Sequence, residues 1–335
     1  MQRVDVALDR AVAYLINHQS SDGAWRDYQL EPGVSDSWTT GYVGLALADL
    51  RGTSTALAAA TNFLQSSMRP DGGWAYNDLC PVDCDSTSNV VLFLDRLGAG
   101  VPARTYERIA RFQNADGGFA TFAAHWAGDS WGCSHPDVNP LALRALSRGT
   151  GTDDVVESGV RYALAAREES GLWNSFWWTT PLYSTAANVT TLLGLGRLVD
   201  APCTVGAVAE LARLSTDPFR LALGLDVMAL LGGDGSETCR RLLALQRPDG
   251  SWHAQHRNLR VTVNWCCTPW QDDGFVGHVA TDQHHLVTSA TVLRSLVTFR
   301  SATSGGQPPS GPRRSAGNGQ QFSGHDRAGS SDSQP

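Results

Sequence analysis

The chain contains no lysine: all 26 of its basic residues are arginine, which codon composition explains better than any demand for guanidinium chemistry. Against 33 acidic residues this gives a formal charge of −7. Nucleic-acid backbones need a concentrated positive field, so the balance excludes a general nucleic-acid-binding surface and leaves room only for a local arginine pocket. Also missing is a basic stretch followed by an apolar one and a small-residue cleavage site, because Met1, Gln2, Arg3, Val4 and Asp5 lead straight into an amphipathic pattern. Export by a standard signal is not expected. No apolar run approaches the ~20 residues that span a bilayer, which points to a soluble or at most peripheral, cytoplasmic protein. The seven cysteines (Cys80, Cys84, Cys133, Cys203, Cys239, Cys266 and Cys267) are odd in number and show no paired C-x-x-C spacing. Reduced thiols are the expectation.

What is present is repetition. One turn recurs as Gln19, Asp22, Gly23 and Trp25, then as Met68, Asp71, Gly72 and Trp74. Gln113, Asp116, Gly117 and Phe119 repeat it, as do Gln246, Asp249, Gly250 and Trp252. Two worn copies run from Arg167 to Trp173 and from Arg213 to Phe219, making six. A helical apolar pattern precedes each turn, as at Ala11, Val12, Tyr14, Leu15 and Ile16, and Asp-Gly stops it. A second follows, as at Val90, Val91, Phe93, Leu94 and Leu97. Each unit is therefore predicted as helix, turn, helix. Such a hairpin cannot bury both of its apolar faces alone, so the copies must stack. Six can close into an all-α ring, an α/α toroid with the more apolar second helices inside, and a linear helical solenoid is the alternative. Residues 1–300 are assigned to this domain. Residues 301–335, rich in Ser, Gly, Gln, Pro and Arg, are read as a disordered tail.

The Q-x-x-D-G-x-W copies resemble the QW motifs of the squalene-hopene cyclase, oxidosqualene cyclase and protein prenyltransferase β-subunit superfamily, over residues 5 to 298. The resemblance implies an α/α barrel whose repeat Gln and Trp residues are structural. Within that superfamily the class II terpene cyclases carry a D-x-D-D-T-A run whose middle acid protonates an alkene or epoxide. Asp83, Cys84, Asp85, Ser86, Thr87 and Ser88 resemble that run, with Ser86 in place of the last acid, and put Asp85 at the proton donor. Asp83 is then its carboxyl partner, because protonating a carbon-carbon double bond needs an acid kept neutral and dry. The competing reading is that Asp85, Ser86 and Thr87 simply cap the inner helix.

A carbocation needs walls that stabilise charge without attacking it, and aromatic faces do so. Trp38, Trp126, Trp131, Phe176, Trp177, Trp178, Tyr183, Trp265, Trp270 and Phe275 all fall in or beside the outer-to-inner connections. His135 is a candidate to tune or reprotonate the acid, and His284 and His285 fall in an equivalent connection, as do Asp137, Asp272, Asp273 and Asp282. The resemblance thus implies a protonation-initiated cyclase or isomerase acting on a small hydrophobic isoprenoid, in bacterial secondary metabolism, without a cofactor. Family members usually pair the barrel with a second domain, so a homodimer or partner domain is a possibility to test. Mg²⁺ would enter only with a diphosphate substrate, for which His253, His256, Arg257 and Arg260 offer an anion pocket. Two alternatives stay open. One is a zinc-dependent prenyltransferase-like enzyme drawing ligands from Asp83, Cys84, Cys266, Cys267, His284 and His285. The other is a non-catalytic binding protein of the same fold. Asp153, Asp154 and Glu157 spell a class I metal motif but are read as acids at a helix start.

Overall fold

The computed structural model describes residues 2–123, 130–197, 199–262, 266–271 and 277–304. Among them are twelve helices: α1 (Gln2–Asn17), α2 (Ser37–Leu47), α3 (Ser54–Ser67), α4 (Cys84–Arg96), α5 (Ala103–Ala110), α6 (Asn139–Leu146), α7 (Asp153–Ala165), α8 (Pro181–Gly194), α9 (Ala201–Leu214), α10 (Pro218–Leu231), α11 (Ser236–Leu245) and α12 (Leu286–Thr303). Even-numbered helices form an inner ring and odd-numbered ones an outer ring. Each inner helix packs on the inner helices before and after it, and α12 packs on both α10 and α2, so the ring is closed and the solenoid alternative falls. The domain's last helix runs to Thr303, slightly past the boundary read from composition, and the remainder of the tail lies outside the described residues.

Burial follows the sequence pattern. On α1 only one stripe is buried (Val4, Ala7, Leu8, Ala11, Tyr14 and Leu15), as an outer helix requires. On α4 every residue from Ser86 to Leu94 is buried, which fits a helix enclosed on all sides.

The repeat turns lock the rings together through three recurrent bonds. The indole N–H of Trp25, Trp74, Trp173 and Trp252 donates to the carbonyl of Leu15, Leu64, Ala163 and Leu242, ten residues earlier at the end of the outer helix (2.6–2.7 Å). The backbone amide of the same Trp donates to a hydroxyl on the inner helix, that of Thr40, Thr87, Thr185 or Ser289. The Gln reaches into the next unit: Gln19 to the carbonyl of Ala56, Gln113 to that of Val155, and Gln246 across the closure to that of Ala7. Glycine is required between them. Gly23 and Gly250 have φ of +93° and +97°, and a Cβ there would lie 2.3 Å from the Ala59 carbonyl oxygen or 2.4 Å from that of Arg10. The fifth unit departs from the others: only Ser215, Thr216 and Asp217 separate α9 from α10, and Phe219 lies inside α10 rather than in a turn.

Every outer-to-inner connection emerges at the inner helices' N-terminal end. Two of them form antiparallel hairpins that an all-α reading did not anticipate, β1 (Asp27–Leu30) with β2 (Gly33–Ser35) and β3 (Leu259–Thr262) with β4 (Gly277–Ala280). β1 touches β4, and Trp178 bridges to Leu259, so the first, fourth and sixth connections meet over the mouth of the barrel. A disulfide joins Cys133 to Cys267, with Cα atoms 6.2 Å apart, where reduced thiols were expected. Separated by 134 residues, the pair has no spacing signature. Cys80, Cys84, Cys203, Cys239 and Cys266 are free thiols.

Candidate active site

Beneath these connections lies a cavity of about 920 Å³. Its walls are aromatic, built from Tyr28, Trp38, Phe122, Trp131, Trp177 and Trp178; Asp83 and Asp85 add two carboxyls at the start of α4. Toward the surface it is lined by Leu30, Glu31, Leu79, Val261 and His278. Val261 and His278 are cross-strand partners in the β3–β4 hairpin. Arg260 lies between two lining residues, Leu259 and Val261, so strand alternation turns it to the other face, where it donates to the Ser175 carbonyl.

The geometry separates the two readings of the acid run. Asp83 is the N-cap of α4: its Oδ1 accepts the Ser86 amide at 2.6 Å. That role belongs to the repeat, since Asp36, Asp217 and Asp282 likewise accept amides in the first turns of α2, α10 and α12. Asp85 caps nothing. Its Oδ2 accepts the indole N–H of Trp38 at 2.7 Å, and its Oδ1 is buried without a partner. Burial raises the Asp85 carboxyl well above the ordinary carboxylate range, and the neighbouring Asp83 and Asp137 push it the same way, against the Trp38 bond. Asp83 is pushed up to about 7 by burial, opposed by the Ser86 amide. Asp137, which accepts the Trp177 amide at 2.7 Å, is pushed up to about 6, again by burial. Asp83 and Asp137 each also hold one buried, unpartnered oxygen. Burial therefore favours the protonated form of Asp85.

Of the aromatics named from sequence, Trp38, Trp131, Trp177 and Trp178 line the cavity. Tyr183 stands one layer below, stacked on Trp178 with ring centroids 4.1 Å apart. His135 is not a partner of Asp85. Its Nδ1 accepts from Thr121 Oγ1 and its Nε2 donates to the Ser130 carbonyl, both at 2.8 Å, and its ring stacks on Phe176 at 3.7 Å. Burial lowers it to about 4, so the ring is neutral and both nitrogens are committed. Thr121 in turn accepts from Trp177 Nε1 at 2.7 Å, so His135 props a wall residue from behind.

His284 and His285 end the sixth connection, just before α12, and do not line the cavity: the amide of His284 donates to Asp27 Oδ1, and His285 stacks on His253 at 3.6 Å. Trp270 is half-buried and also outside the lining. Trp126, Trp265, Phe275, Asp272 and Asp273 lie outside the described residues. Of the suggested anion pocket, His253, His256, Arg257 and Arg260 are all absent from the lining. The zinc ligand set does not assemble, because Cys84 is buried against Ser88 and Cys267 is bonded to Cys133. Among the described residues no three His, Cys, Asp or Glu side chains are arranged to hold a metal ion.

Sequence reasoning missed Tyr28, Tyr76 and Phe122. Tyr28 holds φ of +54°, unusual for a side chain of its size, and donates to Asn258 Oδ1 at 2.8 Å. Its place directly after the first turn was the available signal.

No family model matches the chain. It is 25% identical over 249 residues to the drimenyl diphosphate synthase of Streptomyces showdoensis, a match covering 65% of this chain and 45% of that relative. The chain therefore spans less than half of that protein's length. Among solved structures it is similar to a protein from Actinoplanes (28% identity, TM-score 0.78, 89% of this chain and 99% of the other). It is also similar to the type II terpene cyclase MstE from Scytonema (25% identity, TM-score 0.78, 90% of this chain and 100% of MstE). Variants of MstE are known bound to geranylgeranyl dihydroxybenzoate, its substrate, and to merosterolic acid A, its product. Over nearly the whole of both chains the protein shares this barrel with MstE, and it is similar to the class II terpene cyclase-like superfamily.

Proposed function

We propose that the chain is a protonation-initiated cyclase of isoprenoid-type substrates, with Asp85 as the general acid. The observation that carries this reading is Asp85 itself: an acid in the wall of an aromatic cavity, with no capping duty, one oxygen fixed by an indole and the other unpartnered. In the proposed first step the Asp85 O–H bond breaks as its proton forms a new C–H bond with the terminal alkene carbon, using the π electrons. A tertiary cation remains. The next alkene attacks it, closing a ring and passing the charge along, until loss of a proton to water ends the cascade. Trp38, Trp131, Trp177 and Trp178 present π faces to that charge, each contributing up to about 2 kcal/mol when desolvated. The cavity volume falls in the upper part of the range for small-molecule sites, about 300–1,000 Å³. Because protonation starts the chemistry, the step as written requires no cofactor.

The test is incubation with geranyl, farnesyl and geranylgeranyl substrates, free and as diphosphates, comparing wild type with Asp85→Asn. Cyclised product is expected from wild type, and a loss of about 10²–10⁴-fold from the variant, the share that a positioned acid supplies. Product surviving in Asp85→Asn overturns the assignment. Retention of a ligand without turnover by wild type points instead to a binding protein.

A further inference from the structure

We propose that Trp38 is a positioning residue for Asp85, its indole N–H fixing Oδ2 as the accepting oxygen so that the acid carries its proton on Oδ1. This rests on Asp85 being the acid proposed above. From sequence Trp38 is one wall aromatic among many; the structure gives it a separate duty.

The repeat itself brings the two together. The hydroxyls that receive the repeat-turn amides put the inner helices in common register, through Thr40 on α2 and Thr87 on α4. Two residues before each stand Trp38 and Asp85, which are therefore equivalent positions on adjacent inner helices. Gly41 and Gly44 let α2 close on α4: a Cβ on Gly41 would lie 3.1 Å from the Asn89 backbone and one on Gly44 2.7 Å from the Phe93 ring. The indole cannot swing away. It stacks on Tyr42 with centroids 5.1 Å apart, meets Tyr28 edge-on at 6.4 Å and leans on Trp178 at 6.1 Å.

An indole nitrogen is a donor only and does not titrate, so the atom it meets must accept. In a neutral carboxylic acid the carbonyl oxygen is the better acceptor, which leaves the hydroxyl on the other oxygen, the one without a partner. As the proton departs, charge accumulates on both oxygens and the indole bond becomes charge-assisted. It therefore strengthens in the transition state more than in the resting acid, which is the condition for it to accelerate the step. Burial alone makes Asp85 a weaker acid; Trp38 works against that.

The test is Trp38→Phe, which keeps an aromatic wall and removes the donor. Infrared difference spectra between wild type and Asp85→Asn isolate the protonated Asp85 carbonyl stretch without any substrate, and in Trp38→Phe that band is expected to move to higher frequency. With substrate, kcat is expected to fall roughly tenfold with KM within about twofold, and the alkaline limb of the rate profile to move up by roughly one pH unit. Introducing 3-benzothienylalanine at position 38, the same shape without the N–H, should reproduce both effects if Trp38→Phe folds poorly. A residue that only lines the wall would raise KM and leave the band and the pH limb in place, and that outcome overturns the proposal. Wild type and Asp85→Asn spectra that do not differ in a protonated carboxyl band overturn it as well. Activity surviving in Asp85→Asn with the band shift intact would sink the assignment of Asp85 as the general acid but not the bond.

Discussion

Replacing Asp83 with asparagine isolates the electrostatic cost of the acid cluster. The substitution keeps a side-chain oxygen for the Ser86 amide, and Asn caps helices as well as Asp does. It removes a carboxyl that burial holds at about 7 rather than 3.8. Below the ordinary value both folded and unfolded chains carry this proton, so nothing is lost. Between 3.8 and about 7 the unfolded chain releases it while the folded chain keeps it, so stability declines as pH rises, and above about 7 the whole penalty is present. That gap amounts to about 4 kcal/mol. Against the relief, the asparagine NH₂ takes the place of the unpartnered Oδ2, at a cost of about 1–3 kcal/mol that does not depend on pH. The stability of Asp83→Asn relative to wild type should therefore improve by about 4 kcal/mol between pH 4 and pH 8, on the order of 8 °C in melting temperature. Thermal or urea melts of both proteins at the two pH values measure it, and using the difference cancels every other titrating group. The Asp83 charge also raises Asp85, so the swing includes the response of Asp85 as well. A difference that stays flat from pH 4 to pH 8 would refute the claim that burial keeps this site protonated.

Two further outcomes are expected. Gly250→Ala, which meets the Arg10 carbonyl at a φ of +97°, should destabilise by roughly 2 kcal/mol or more, whereas Gly98→Ala, at φ +68° with nothing within 4 Å, should cost only about 1–2 kcal/mol by denaturant melts. His135, lowered to about 4 by burial, takes up its proton later in the folded chain than in the unfolded one, so it contributes stability that is lost as pH falls from 6.5 towards 4, about 3 kcal/mol in all. His135→Gln should lose that acid-side slope in melts while the pH–rate profile of cyclisation stays where it is; a displaced profile would restore His135 as a partner of the acid.

The ring was legible because each unit writes the same contacts into the chain at fixed local spacing. Trp25 and Leu15, or Trp252 and Leu242, meet within one unit, and Asp-Gly marks where the outer helix must stop. The hairpins β1–β2 and β3–β4 left no such mark, since each is short, only part-buried and held by its neighbours over the mouth. The repeat register puts His135 just before α6, but burial decides its role. The ring stacked on Phe176 has both nitrogens committed to local partners, and no spacing in the sequence reports that. The Cys133–Cys267 bond and the contact of Trp38 with Asp85 likewise join connections or helices that only closure of the barrel brings together.

The repeat register explains how an acid can occupy position 85 while the contacts that close the barrel stay in place. In the units whose repeat-turn amide meets an inner-helix hydroxyl, the residue two positions before that hydroxyl is Trp38, Asp85, Tyr183 or Val287. Trp38 and Tyr183 are buried aromatics and Val287 is a buried aliphatic, so the position faces the enclosed centre of the ring. An acid there inherits an apolar, aromatic surrounding from its equivalents in the other units. The bonds that hold the ring, from the indoles, the glutamines and the Asp83 cap, all lie at other positions. Asp85 can thus carry a raised pKa, and can be exchanged for asparagine, while the contacts that close the barrel stay intact. Ring integrity and the proposed proton donation are separable by mutation for that reason.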